Sequence, residues 1–380
     1  MRHNKENILN IITIMVFILI IFLPQIVFYF TKDYIETDNS ENRKLATKPE
    51  LKNTSIIEYP KEYEKYYNDN VPFRGIIKKI WTNINFFVFN DSSCDKVVIG
   101  ESDNKDRSLT WLFYCASSDY NPVAEAQGIT KFEDEEKEKI YNNIIENTSR
   151  MKENNVQLYY LICPNKENIY KEKFSSNIKI LDYDSRTDKL VKELNEKGID
   201  NVIYPKDELM NEKDNNQEYY KQDTHWNNYG AFIGFKKVMN FIEPDYNNFN
   251  YEVEYSENKI QNRDLVNMLG INDYFRDVEP TVKYLDMNEY TSNTILTKTN
   301  NIFITECKEA PIDKTIMIVG DSYRNAMIQF FARTYKKCIF MHRDDYKATM
   351  IEEYTPNILI SENVERYTTL LEHIRLYKYF

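Results

Sequence analysis

An α/β fold with a parallel central sheet and helices on both of its faces is predicted by three observations. Short apolar runs, "VQLYYLIC" at 156–163, "TIMIV" at 315–319, "KCIFM" at 337–341 and "NILIS" at 357–361, are bounded by turns and separated by helical patterns. Runs of that kind indicate strands buried on both sides. Hydrophobic residues make up 42% of the 380, with 30 tyrosines and 21 phenylalanines, enough for one large or two ordinary globular domains. No internal repeat or low-complexity tract interrupts the pattern.

The elements follow in chain order. Residues 8–30, "ILNIITIMVFILIIFLPQIVFYF", carry no charge and exceed the roughly 20 residues that a helix needs to cross a bilayer. Bulky residues follow where a signal peptide would be cleaved, so an uncleaved transmembrane anchor is predicted, with a cleaved or a purely buried helix as the alternative. Arg2 and Lys5 precede it and Asp33, Glu36, Asp38 and Glu41 follow. By the positive-inside rule, residues 1–7 are a cytoplasmic tail and residues 31–380 lie outside. Residues 31–58 read as an extracellular stalk. Residues 59–380 read as one domain that opens with two amphipathic helices broken near Pro72. A helix at 133–154 leads into the 156–163 strand and a turn at Pro164. A helix at 184–198 precedes a short strand, "DNVIY", and "NNYGAFIGFKKVMNFI" at 227–242 forms the next helix. Residues 244–312 read as irregular, and a terminal helix is expected around "LLEHIRLYKYF".

Composition narrows the function. The net charge of −11 is too acidic for a nucleic-acid grip, and the mean hydropathy of −0.63 marks the remainder as a polar globular chain. Five cysteines without a CxxC pair argue against structural zinc. Cys94 and Cys115 flank one segment and are a candidate disulfide in an exported chain.

Two motifs carry chemistry. In "TIMIVGDSYRNAMI" a strand runs into Gly320-Asp321-Ser322 and then a helix. A serine there sits at the carboxyl edge of the sheet with its N–H at a helix N-terminus, a setting that suits a nucleophile and equally suits an ordinary N-cap. A serine nucleophile needs a base, and the base needs a carboxylate to hold its tautomer. "YYKQDTHWNNYGA" at 219–231 supplies Asp223 and His225, which project to the same side if the segment is extended, with Trp226 packed beneath. A capping or core histidine is the alternative. The chain holds four histidines. His3 falls on the cytoplasmic side and His373 in the terminal segment. His342 in "MHRDDY" also follows a strand, and with Asp344 and Asp345 it offers metal-ligating side chains but no second histidine nearby. No metal and no cofactor are predicted.

Taken in order, these segments resemble the alginate O-acetyltransferase family, SGNH-hydrolase-like proteins, and its "DHHW" relatives in Gram-positive bacteria. The likeness runs through "ENRKLATKP" at 41–49, "YNDNVPFR" at 67–74, "VVIGESDNKDRSLTWLFY" at 97–114, "CPNKENIY" at 163–170, "QDTHWNNYGA" at 222–231, "RDLVNMLGI" at 263–271, "GDSYRNAM" at 320–327 and "TPNILISENVER" at 355–366. The resemblance implies a three-layer SGNH-like fold and a catalytic set of Ser322, His225 and Asp223. The backbone N–H of Ser322 would be one oxyanion donor, and Tyr323, Arg324 and Asn165 are candidates for oxyanion or substrate contacts. It further implies O-acetylation of an exported or cell-surface polysaccharide, with the acyl group supplied by a multispanning membrane O-acyltransferase. A carbohydrate esterase or deacetylase with the same triad is the alternative enzyme. A non-catalytic surface protein that binds polysaccharide is the alternative from another class.

Overall fold

The computed structural model describes residues 2–31, 45–71, 73–246, 249–259, 263–271, 274–285, 289–296 and 301–377. The chain divides into two units, Met1–Ser93 with Asn267–Ile271, and Cys94–Val266 with Asn272–Phe380. The first unit holds α1 (Arg2–Thr31), α2 (Tyr59–Asp69) and α3 (Arg74–Ile84), the last continued by a π-helical turn, Asn85–Phe89. The break expected near Pro72 falls between α2 and α3, and Pro72 itself lies outside the described residues. Within α1, the side chains of residues 2–9, 24, 25, 28 and 31 are also outside them, and with these goes part of the span expected at 8–30. Among the described residues no helix is long and apolar enough to cross a membrane.

The second unit opens with an antiparallel pair, β1 (Val97–Ser102) and β2 (Thr110–Tyr114). There follow α4 (Pro122–Ala126), α5 (Asp134–Glu153), β3 (Gln157–Cys163), α6 (Lys166–Ile169), α7 (Arg186–Glu196), β4 (Val202–Ile203), α8 (Lys206–Glu212) and α9 (Asn228–Ile242). Next come β5 (Tyr251–Lys259), α10 (Asp264–Leu269), of which only the part up to Val266 belongs to this unit, β6 (Arg276–Tyr284), β7 (Thr291–Leu296) and β8 (Asn301–Glu306). Last are β9 (Ile312–Gly320), α11 (Arg324–Thr334), β10 (Tyr335–His342), α12 (Met350–Tyr354) and β11 (Ile358–Val364).

Seven strands form the main sheet in the order β4-β3-β11-β9-β10-β8-β7. Strict alternation sorts its side chains into two cores. Leu161, Cys163, Ile316, Ile318, Phe340 and Ile360 pack with Trp226, Phe232 and Phe235 and with Met327, Phe330 and Phe331 on one face. Tyr160, Ile162, Met317, Val319, Ile339 and Leu359 pack with Ile140 and Ile144 of α5 and Leu190 and Leu194 of α7 on the other. Two layers of helix therefore enclose a sheet whose central strands are apolar on both sides.

Two expectations need correction. The sheet is mixed: β4, β3, β11, β9 and β10 run parallel, but β8 pairs antiparallel with β10 and β7 antiparallel with β8. Those two strands and the β5–β6 ribbon come from the stretch that reads as irregular in sequence. Every β7 side chain is exposed, so "TSNTIL" carries no periodic signal, and an antiparallel edge on a parallel sheet is physically ordinary. Among the described residues the C-terminal segment forms no α-helix but a run of 3-10 turns over Glu365–Glu372; residues 378–380 of the expected helix lie outside them. Its carbonyls are taken from the side: Asn143 of α5 donates to Leu371 O at 2.6 Å and Ile374 O at 2.9 Å, and Asn147 donates to Ile374 O at 2.9 Å.

Candidate active site

The register brings the ends of the parallel strands level, with His342 opposite Gly320 and Val364 opposite Cys163. At this carboxyl edge β9 ends on Gly320. A Cβ there would lie 2.1 Å from Glu362 Oε2 and 2.8 Å from the Glu362 carbonyl oxygen, so the close passage of β11 requires glycine. Asp321 is buried and ties the turn down: its Oδ1 accepts from Tyr323 N at 3.0 Å, and its Oδ2 accepts from Val364 N at 2.8 Å and Arg343 Nη2 at 3.4 Å. Asp321 thus takes the N–H of Tyr323, the residue that opens α11, and Ser322 is left exposed just ahead of that helix.

The histidine loop is closed at its base by a bridge between Tyr219 and Trp226. Lys166, fully buried, donates from Nζ to four carbonyls, those of Leu112 and Asp223 at 2.6 Å, Lys221 at 3.0 Å and Tyr220 at 3.2 Å. Burial holds its ammonium below the usual lysine range. Trp226 lies under the loop as the sequence suggests, with Nε1 donating to Tyr323 O at 3.0 Å, and the Tyr323 hydroxyl donates back to Thr224 O. These two bonds join segments about a hundred residues apart.

The predicted triad side chains meet there. His225 Nδ1 is 2.7 Å from Asp223 Oδ1, and its Nε2 is 2.7 Å from Ser322 Oγ. Asp223 and His225 do not sit on an extended segment, since residues 223–225 form bends. Asp223 Oδ1 instead accepts from the His225 backbone N–H at 3.0 Å as well as from the ring, which is an Asx-type turn. Partners assign the Nδ1 proton to the Asp223 side and leave the Nε2 lone pair to the hydroxyl.

A second carboxylate completes this arrangement. Asp264, at the start of α10, donates its backbone N–H to Asp223 Oδ2 at 3.2 Å, accepts from Thr224 N at 2.9 Å and from the Thr224 hydroxyl, and stands 4.0 Å from His225 Nδ1. Burial would raise Asp223, but the hydrogen bonds and charge of His225 outweigh it and bring the carboxyl down to about 2. His225 has the opposite balance: burial lowers it, and Asp223, then Asp264, raise it above the ordinary histidine value. Burial and the Asp223 charge together raise Asp264. Asp223, His225 and Asp264 are also the one grouping of metal-ligating type among the described residues. Backbone N–H groups and the imidazole already address the oxygens that a cation would take, an arrangement suited to moving a proton.

Ser322, His225 and Asp223 open on a cleft of about 320 Å³ whose walls include Tyr220, Arg263, Tyr323 and Asn325. The Arg263 guanidinium lies 3.4 Å above the Tyr220 ring and pairs with Glu279 at 2.6 Å. Of the other predicted contacts, Tyr323 packs its ring 5.0 Å from that of His225. Arg324 is buried and donates to the carbonyls of Gly320 and Asp321, so it holds the turn from behind. Asn165 is also buried; its backbone N–H donates to Glu365 at 2.8 Å, and among the described residues its side-chain amide has no hydrogen-bond partner. Neither Arg324 nor Asn165 lines the cleft. His342 stays apart, with Nδ1 accepting from Asp344 N at 3.2 Å. The candidate disulfide is not formed: neither Cys94 nor Cys115 is disulfide-bonded, and the same holds for Cys163, Cys307 and Cys338. Sequence reasoning assigned no role to Lys166, Arg263 or Asp264, although all three lie inside motif segments quoted above.

Fold and site together define an SGNH-hydrolase-like α/β protein with a split Ser-His-Asp set. Residues 108–334 match the family described as SGNH hydrolase-like domain, acetyltransferase AlgX, and the chain belongs to that family. It is 25% identical over 185 residues to the protein named Probable alginate O-acetylase AlgJ of Azotobacter vinelandii, covering 48% of this chain and 42% of that one. The chain thus spans less than half the length of that curated relative. Among solved structures it is similar in fold to PatB1 of Bacillus cereus, at 18% identity and a TM-score of 0.54, over 73% of this chain and 100% of that one. It is also similar to a DHHW family protein of Eubacterium siraeum, at 14% identity and a TM-score of 0.51, over 75% and 97%.

Proposed function

We propose that this chain is an extracytoplasmic O-acyltransferase, with acetyl as the transferred group, that modifies a polysaccharide through an acyl ester on Ser322. The observation that carries the reading is the unbroken hydrogen-bond line from Asp223 through His225 to the exposed Ser322 hydroxyl, 2.7 Å at each ring nitrogen. Membership of the AlgX acetyltransferase family supports the acyl class.

Ser322 Oγ attacks the acyl carbonyl of the donor while its proton passes to His225 Nε2. The imidazolium is held by Asp223, and the oxyanion is assigned to the Ser322 backbone N–H in the field of the α11 N-terminus. Collapse breaks the bond to the donor's leaving group, which takes the proton from His225. A sugar hydroxyl then gives its proton to His225 and attacks the ester, and a second tetrahedral intermediate returns the serine hydroxyl. In this reading residues 8–30 anchor the chain in the cell membrane, residues 31–58 are a stalk, and a multispanning membrane O-acyltransferase supplies the acyl group.

The exposure of Ser322 leaves water as a competing acceptor, so the test measures both products. Purified full chain is given an activated acetyl ester with and without bacterial surface oligosaccharides, and the sugars are analysed by mass spectrometry. Acetylated sugar formed at the expense of free acetate is expected. Acetate yield unchanged by every oligosaccharide, with Ser322 still turning over, would replace transfer by hydrolysis. External protease on intact cells should degrade residues 31–380; protection until lysis would end the extracytoplasmic reading.

A further inference from the structure

Helix α3 is amphipathic the wrong way round. At about 100° per residue, Ile76, Ile77, Ile80, Trp81 and Ile84 fall within an arc of about 140°. Thr82, the buried residue of the helix, lies on the opposite side and bonds Ser93 Oγ at 2.9 Å. In a globular helix the apolar stripe faces the core. Here it faces outward, with Ile80 at 55% and Trp81 at 56% exposure, and Phe87, Val88 and Phe89 extend the exposed apolar surface through the π-helical turn. Contiguous patches of this kind mark a surface that something covers.

Charge identifies the cover. Residues 74–90 contain Arg74, Lys78 and Lys79 and no aspartate or glutamate, in a chain whose net charge is −11. On the same helical projection Arg74 and Lys78 lie past one edge of the apolar arc and Lys79 past the other. An apolar face with tryptophan and phenylalanine, bordered by basic residues, is what an interfacial helix presents to anionic lipid headgroups and the acyl chains below them.

We propose that α3 and the turn 85–89 lie in the surface of an anionic lipid bilayer, apolar face down, as a second membrane contact of this chain. The inference goes beyond the acyltransfer chemistry and stands on α3 itself, whether or not residues 8–30 span the membrane.

Trp81 supplies the probe, because Trp111 and Trp226 are only 2% and 1% exposed. Full chain is reconstituted with vesicles of phosphatidylcholine and phosphatidylglycerol whose acyl chains are brominated, and flotation and tryptophan emission are recorded. Lipid quenching is expected in the native chain. It should be lost in Trp81→Phe, lost in the double variant Ile76→Glu with Ile80→Glu, and weakened when phosphatidylglycerol is omitted. Both variants change exposed side chains, and their continued labelling at Ser322 would show that they are folded.

A native chain that floats without being quenched overturns the inference and leaves the anchor standing. So does quenching that survives in Trp81→Phe. Cross-linking of Ile80→Cys into dimers without quenching would make the face a contact between two copies. Quenching that appears only with a co-purified membrane protein would make it a protein groove, and either result overturns the lipid assignment. Quenching and flotation both lost in the double variant would uphold α3 and overturn the anchor at 8–30.

Discussion

His225 and His342 both sit at the carboxyl edge of the main sheet, each within two residues of an aspartate, yet the molecule treats them oppositely. His225 has a carboxylate at 2.7 Å on one ring nitrogen and a hydroxyl at 2.7 Å on the other. His342 has its Nδ1 turned to the Asp344 backbone N–H and a 3.4 Å pair with the exposed Asp344 carboxylate. Burial holds His342 below the ordinary histidine value, whereas the carboxylates around His225 overcome burial and raise it. A histidine becomes a base through what addresses its two nitrogens, and position at a strand end does not supply that.

The largest test of this contrast removes the working atoms. Ser322→Ala or His225→Ala should reduce covalent labelling by a sulfonyl or acetyl ester by about 10⁴-fold or more, because members of a triad act as a unit. Labelling followed by intact-mass spectrometry checks it. Retention of activity in His225→Ala would break the comparison and reassign the base. Asp223→Asn leaves the shape but reverses the tautomer preference, and a loss of about 10³–10⁴-fold is expected.

Asp264→Asn probes the second carboxylate. It weakens buried hydrogen bonds to Thr224 worth about 1–3 kcal/mol, which corresponds to roughly a five- to hundredfold loss of rate. The pH profile separates positioning from collapse. Labelling needs neutral His225, so the rate should rise with pH about a midpoint above the ordinary 6.5, and the midpoint should fall in Asp264→Asn and further in Asp223→Asn. A profile unmoved in both variants would sever the electrostatic link.

Stability follows the same pair. The Asp223 carboxyl is lowered from 3.8 to about 2, so its contribution, about 2 kcal/mol, is present above pH 3.8 and lost as pH falls toward 2. His225 is raised, so its contribution is full below 6.5 and lost as pH climbs through its folded value. Urea midpoints across pH for the native chain and Asp223→Asn should diverge least at the acid end. The smallest effect is that of His342→Ala, less than about twofold on labelling, since no atom of the triad touches it. A large loss there would show that the two histidines are coupled.

Much of this was legible in the chain. Apolar runs such as "TIMIV" and "NILIS" state burial on both faces directly, because a strand enclosed by helices has no polar side to show. Gly-Asp-Ser after a strand offered a candidate hydroxyl at a helix start and Asp-Thr-His a candidate base with its carboxylate, since both readings depend on neighbours one or two residues away, but each motif fitted a cap equally well. The strands β7 and β8 were not legible: one is wholly exposed and the other alternates weakly, so both are decided by the pairing that β10 offers.

Only tertiary structure decided that Ser322 meets His225, and not His342, which lies nearer in sequence and at the end of the adjoining strand. It made that choice through Trp226 bonding Tyr323 O, Tyr323 bonding Thr224 O, Lys166 gathering four carbonyls, and Asp264 bracing Asp223 and Thr224 from 40 residues downstream. None of these bonds leaves a local pattern. A buried donor is satisfied by whichever acceptor the fold brings within about 3 Å, and that acceptor's distance along the chain is free to vary.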